Sequence, residues 1–271
     1  MRLLLILAVI SCASAQDARE IVRRSVSRDQ SNWQRLRDYT FVERVERRKL
    51  DRDGRVASKE SETFDVIILG GQPYQRKIAH NDSPLGPAEE RKASAKFGKL
   101  MAELDAETPE QRQKRIESFE RRRRESRAFL QEVPDLFHLR LLGEEIIDGR
   151  RMWVIEALPR PEYRPKHRNA AMLQKFRGKL WVEKNEYQWV KLEAEAIETV
   201  SFGWFIARLG KGSAVEFQQT RLKDELWAPS YARIRVNGRL ALVKRLAGEA
   251  EVTYRNHRKF QSDSRILPAE P

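Results

Sequence analysis

Over residues 136–260 the chain alternates apolar and polar residues in one short run after another, with turn residues between the runs. A period of two sends successive side chains to opposite faces, so each run reads as a strand with one buried and one wet face. Asp148-Gly149, Lys184-Asn185 and Gly210-Lys211-Gly212 punctuate the runs, and Asn237-Gly238 is the strongest two-residue hairpin signal in the chain. A further hairpin is expected earlier. It has strands at 39–48 and 56–69 about the turn Asp51-Arg52-Asp53-Gly54, and a third strand follows at 74–78. Strands joined by short turns are antiparallel. About ten or eleven of them in one domain must curl, which predicts a mainly β fold with inserted helices, an unclosed barrel under a helical lid or plug.

Three helical segments interrupt this pattern. Residues 17–36 carry Ile21, Val22, Val26, Trp33 and Leu36 at helical spacing, with Asp17 as the expected cap and Glu20 completing a capping box. Residues 88–104 place Ala93, Phe97, Leu100, Met101 and Leu104 on one stripe, which needs an apolar surface and is expected to face the concave side of the sheet. The third begins at Thr108, with Pro109 in the first turn and Gln111 at the capping-box position, and runs to about residue 132. It contains Arg121, Arg122, Arg123 and Arg124. Four consecutive residues wrap most of the way round a helix, so these arginines cannot all meet one flat partner. They are either a solvated face or a contact for an anionic membrane surface.

Arg2, the apolar run 3–10 and the small residues Ala13-Ser14-Ala15 form a secretory signal, expected to be cut before Gln16. Residues 16–262 then form a single domain with a helical insertion at 88–133, and 263–271 is a polar tail. Val9-Ile10-Ser11-Cys12 is also compatible with a lipidated Cys12 and an anchored protein. Cys12 is the sole cysteine, so ordinary cleavage leaves a mature chain without disulfides or thiol chemistry. The expected location is periplasmic or secreted. The formal charge of +13 points to an anionic partner or to a well-solvated surface.

Little in the sequence points to catalysis. His80, His138, His167 and His257 are scattered without metal-ligand spacing, and no nucleophile elbow or phosphate loop is present. Glu144-Glu145 beside Asp148 is an acid cluster near a turn, where the burial that a general acid needs is seldom available. Neither a cofactor nor a metal is expected, and the chain reads as a non-enzyme. No strand interleaves arginine with aromatics as single-strand binders do, so nucleic acid is not an expected partner.

The runs Gly178-Lys179-Leu180-Trp181-Val182 and Asp224-Glu225-Leu226-Trp227-Ala228-Pro229-Ser230, set among hairpins behind a signal and an N-terminal helix, resemble the LolA/LolB/RseB-like superfamily of periplasmic lipoprotein carriers. Over the whole mature chain the sequence resembles exported proteins of acidobacterial type. The superfamily resemblance implies an unclosed barrel holding acyl chains or another hydrophobic ligand beneath helices. The expected function is a carrier or binding protein for a lipid, lipoprotein or other hydrophobic ligand. The alternative is an envelope sensor or scaffold that binds a protein partner. Val190, Leu192, Ala194 and Ala196 share one face by alternation and are the expected ligand lining, with Phe97, Leu100, Met101 and Leu104 from the helix. Bulky residues such as Phe41, Trp153 and Trp204 turned into the barrel would favour the scaffold.

Overall fold

The structure is a computed structural model that describes residues 3–202, 207–223, 226–240 and 244–259, with side chains of the first helix described from Asp17. Trp204, Asp224, Glu225 and the expected tail at 263–271 lie outside the described residues.

Helix α1 (Leu3–Leu36) leads into β1 (Tyr39–Leu50), β2 (Val56–Leu69), β3 (Gln72–His80) and the two-residue β4 (Ser83–Pro84). Helices α2 (Pro87–Asp105) and α3 (Pro109–Glu125), a 3-10 turn at Ala128–Glu132 and the single turn α4 (Val133–Leu136) follow. The hairpin β5 (Phe137–Ile147) and β6 (Arg150–Pro159) comes next, then α5 (Arg168–Leu173), β7 (Phe176–Glu183) and β8 (Trp189–Ala196). Short strands β9 (Val200–Phe202) and β10 (Ala207–Leu209) precede β11 (Ala214–Leu222), β12 (Leu226–Leu240) and β13 (Lys244–Lys259).

The thirteen strands among the described residues belong to one sheet. Eleven form a continuous path in the order β4-β3-β2-β1-β13-β12-β11-β8-β7-β6-β5, and β9 and β10 attach beside β12. Every pairing along the path is antiparallel. The path does not close: β4 and β5 are its two ends. The early hairpin joins the later strands where β1 pairs with β13, with Val45 opposite Val252. The fold is an unclosed antiparallel barrel with helices, as the strand count and short turns predict.

The helix on its inner side is α1. Ala18, Ile21 and Val22 pack with Leu139, Ile155 and Val182 from β5, β6 and β7, and Val26, Trp153, Leu180 and Trp189 close round them. Further along, the Asn32 amide donates to the Trp227 carbonyl at 2.7 Å and accepts from the Trp227 N–H at 2.9 Å. Leu36 packs beside Tyr39, Leu226 and Ala228. The helix thus crosses from the β5 end of the sheet to β12. Asp17 lies within α1, which runs on through the apolar signal segment, so it caps nothing.

The stripe of α2 lies elsewhere. Phe97 stacks on Tyr74 of β3 with ring centroids 5.7 Å apart, and Leu104 covers Gly70 in the β2–β3 turn. No residue of α2 is buried. α3 starts with the expected capping box, Thr108 accepting from the Gln111 N–H and Gln111 reaching back to the Thr108 N–H. It stops at Glu125 and the chain tightens into the 3-10 turn.

Asp148-Gly149 is a turn, with positive φ of 49° and 75°. Asn237-Gly238 is not. Both residues lie inside β12, opposite Ala247 and Leu246, and the chain reverses beyond Leu240. The Gly210 N–H donates to the Asn237 carbonyl at 2.6 Å, and a Cβ on Gly210 would stand 2.6 Å from that oxygen. The backbones are this close because the β9–β10 hairpin pairs with β12 there.

Candidate ligand-binding face

The cross-strand register sorts the side chains of β7, β8, β11, β12, β13 and β1 into rows, because directly paired residues share a face. Two rows lie on the face that α1 touches. One runs Leu180, Leu192, Phe217, Ala232, Val252, Val45. The other runs Gly178, Ala194, Val215, Ile234, Ala250, Arg47. Up to Val45 and Arg47 both rows are wholly apolar, and many of their side chains are small. Gly178 is required in its row, since a Cβ there would come 2.3 Å from the Glu193 carbonyl oxygen of the neighbouring strand.

The opposite face carries the reverse chemistry. Lys179, Glu193, Glu216, Arg233, Glu251 and Glu46 follow one another across the strands. Beside them run Arg177, Glu195, Ala214, Arg235, Glu249 and Arg48. These groups pair as they pass: Arg177 with Glu195 at 3.0 Å, Arg233 with Glu249 at 2.8 Å, Arg44 with Glu46 at 2.8 Å. Burial pushes the Glu46 carboxyl up, but Arg44, Lys59 and Arg48 outweigh it and hold the pKa at about 2. The charges of these rows nearly cancel, so the outer surface is laced by ion pairs and the net positive charge lies elsewhere.

α1 covers the inner rows at their β7 end and meets β12 at 226–228, away from the rows. Ile155 and Val182 are fully buried at the β7 end. Toward β12 the cover gives out and Ile234 is 40% exposed. Here a groove of about 320 Å³ opens, lined by Ile234, Val236, Ala250 and Gly248, with Arg47 and Lys49 at its rim. That volume is at the lower end of what small-molecule sites occupy.

Of the residues expected to line a site, Leu192 and Ala194 are half-buried members of the two inner rows, and Ala196 is fully buried opposite Phe176. Val190 departs from its expected face. A bulge in β8 pairs Trp181 with Lys191 but Val182 with Trp189, leaving Val190 the extra residue. Val190 packs with Met152, Val154 and Trp181 on the far side of β6 and β7, and Trp189 turns inward instead. There its indole N–H donates to Asp29 of α1 at 2.7 Å and its ring meets Phe217. Phe97, Leu100, Met101 and Leu104 lie on α2 beside β3, separated in the sheet order from β8 by five strands, so the structure does not bring the two expected linings together. Of the bulky residues, Trp153 packs into the α1 core, and Phe41 stacks on Tyr254 and His257. The sequence reading missed Val215, Ile234, Val252 and Ala250, although each lies in an alternating strand; only the pairing register shows that they continue the rows of β8.

Of the arginine run, Arg121, Arg122 and Arg124 are exposed, and Arg123 turns inward with its guanidinium 3.6 Å over the Trp33 ring. The acid cluster at the β5–β6 turn is engaged otherwise. Glu144 binds Lys184 and Arg151, whose bonds hold its pKa below the usual carboxylate range, and Glu145 accepts the Trp181 indole N–H at 2.8 Å. A carboxyl held ionised in this way is unsuited to donate a proton. Among the described residues no group of three His, Cys, Asp or Glu is placed to hold a metal ion, and no described helix is long and apolar enough to cross a membrane.

The protein is thus an unclosed antiparallel barrel with a helix along its inner face and an apolar surface left beyond it. No protein-family model matches the chain and no curated protein matches it. Among solved structures, it is similar to a domain assigned to outer membrane lipoprotein sorting from Vibrio parahaemolyticus, at 12% identity over 90% of this chain and 95% of that one, with a TM-score of 0.37. It is similar to a LolA superfamily protein from Nitrosomonas europaea, at 12% identity over 93% and 94% of the two chains, TM-score 0.29. A third is MucB in complex with MucA from Pseudomonas aeruginosa, at 9% identity over 91% and 100%, TM-score 0.26.

Proposed function

We propose that the protein is an exported, non-enzymatic carrier or binding protein whose inner apolar rows hold a hydrophobic ligand, such as the acyl chain of a lipid or lipoprotein. The observation that supports this is the pair of apolar rows running from β8 to β13, ending in the partly exposed Ile234 and the groove beside it. Apolar side chains left open along a groove are stabilised by an apolar occupant. Cleavage after Ala15 would retain every α1 contact described, since among the described residues the first buried one is Ala18.

Partner binding has its own support. β5 is a long edge strand with Leu142 and Ile146 exposed, and an unpaired edge accepts an extended segment as an added strand. A fluorescent acyl probe separates the two readings. Carrier function requires saturable uptake by the mature protein and its loss on Ala194→Trp, which fills the inner row. Absence of uptake by the wild-type protein rules the carrier out and leaves partner binding.

A further inference from the structure

The end of α1 and the end of α3 enclose a second cavity of about 830 Å³, which shares no lining residue with the inner rows and is of opposite character. Its walls present Arg35 and Arg37 from the α1 end, Arg123 and Arg124 from α3, and Arg127 from the following turn, with Trp33 as the floor. The carboxylates facing them are few. Asp38 and Glu120 line the cavity, and Asp29 stands behind Arg127 as its ion-pair partner. Five guanidinium groups stand against Asp38 and Glu120 in the lining, Asp29 behind Arg127 and Glu132 behind the lining residue His167, so positive charge remains in excess.

How those charges are held shows that the excess is not offset from within. Arg123 is the most enclosed of the run, its side chain 11% exposed. It donates to the Trp33 carbonyl at 2.6 Å and stacks on the indole, and its nearest described carboxylate oxygen, on Glu120, is 3.7 Å away. Burial, followed by repulsion from Arg37 and Arg127, pushes its pKa down against the pull of Glu120. Arg37 is occupied by Asp38 at 3.3 Å and Arg127 by Asp29. Arg35 and Arg124 are exposed at the mouth and have no ion-pair partner among the described residues. A charge as enclosed as that of Arg123 is costly unless a counter-charge joins it, and the exposed Arg35 and Arg124 leave room for one to approach. Guanidinium forks match the planar pairs of oxygens on a phosphate, and a phosphate monoester carries about −1.5 to −2 at neutral pH.

We infer that this cavity is a binding site for a phosphate monoester group, with Arg35 and Arg124 gripping the phosphate at the mouth and Arg123, fixed on Trp33, supplying charge from below. The site is independent of the acyl reading, because it shares no lining residue with the inner rows. It also explains how a run of four arginines divides: Arg123 and the exposed Arg124 line the cavity, and Arg121 and Arg122 do not.

The test is calorimetric titration of the mature protein with phenyl phosphate, and flotation with vesicles of phosphatidylcholine alone or with phosphatidic acid. The double variant Arg35→Ala/Arg124→Ala should weaken phenyl phosphate binding at least tenfold. The control Arg121→Ala/Arg122→Ala removes the same charge from the same region and should leave binding unchanged. If the headgroup of a lipid is the source, phosphatidic acid vesicles will also be bound and lost in the first variant only; if a soluble ester is, the vesicles will not be bound. No saturable binding of either probe, or equal weakening by the two double variants, overturns the site and leaves only diffuse surface charge.

Discussion

The two halves of the inner face follow the same alternation and end differently. In the half made by β5, β6 and β7, α1 lies against the strands and Ile155, Val182 and Ala18 reach complete burial. In the half made by β8, β11, β12, β13 and β1, the rows are apolar as far as Val45 and Arg47, and although Ala232 and Val45 are buried, Ile234 remains 40% exposed and a groove stays open. Alternation decides which side chains face inward. It does not decide what they meet, and in this chain one helix is too narrow to meet them all. The packed half supplies stability, and the open half is where the proposed ligand would sit.

The contrast can be broken most forcefully at the centre of the packed half. Val22→Asp places a charge between α1 and β5–β7 and should destabilise the fold by on the order of 4 kcal/mol, whereas Ile234→Ala in the open half should cost within about 0.5 kcal/mol. Urea unfolding of the two variants measures both. Equal losses would mean that the halves are packed alike.

Asp29 is where α1 is fastened by polar bonds. It takes Arg127 as an ion pair and the indole N–H of Trp189, and it is itself buried. Asp29→Ala leaves both donors without their acceptor and should cost about 3 kcal/mol in the same unfolding experiment. Trp189 fluorescence should shift to the red, as its ring loses its hold on the helix.

This fastening also marks the limit of what the sequence made legible. The β-rich class, the early hairpin and the Asp148-Gly149 turn could be read because each is set by local chemistry, alternation or positive φ. The bulge at Val190 could not. It exists so that Trp189 can face Asp29, a residue 160 positions away, and strict alternation puts it on the wrong side. Asn237-Gly238 misled for a similar reason. Its turn propensity yields to pairing with β13 on one side and β10 on the other. The stripe on α2 was correctly apolar, but periodicity names a face and not its neighbour, and α1 takes the place expected for α2. The inner rows needed the register of six strands, which no single segment carries.

The packed half should also respond to acid. Glu132, in the turn behind α1, accepts from the Lys166 and His167 N–H groups at 2.8 and 3.0 Å and from the Tyr163 hydroxyl at 3.1 Å. Burial pushes its pKa up, but these bonds and the His167 ring prevail and hold it at about 2, below its ordinary 4.5. A folded pKa below the unfolded one gives stability that is present above pH 4.5 and is lost as pH falls toward 2. On the order of 2 kcal/mol should disappear between pH 6 and pH 2.5, and Glu132→Gln should flatten that part of the profile. An unaltered profile in the variant would place the acid sensitivity elsewhere, Glu46 being the next group to change.

A small expected effect on stability sharpens the comparison most. Ala194→Trp should cost less than about 1 kcal/mol if the open half has room for the ring, and about 1–3 kcal/mol if the row is tightly packed.

The central claim is that the open half carries an apolar ligand. Its most direct test is organic extraction and mass spectrometry of the protein purified from its native envelope, alongside Ala194→Trp purified in the same way. The account predicts an acyl-bearing lipid recovered at near-stoichiometric amount from the wild-type protein and missing from the variant. A wild-type protein that carries no lipid, or a variant that carries as much of it, would contradict the account.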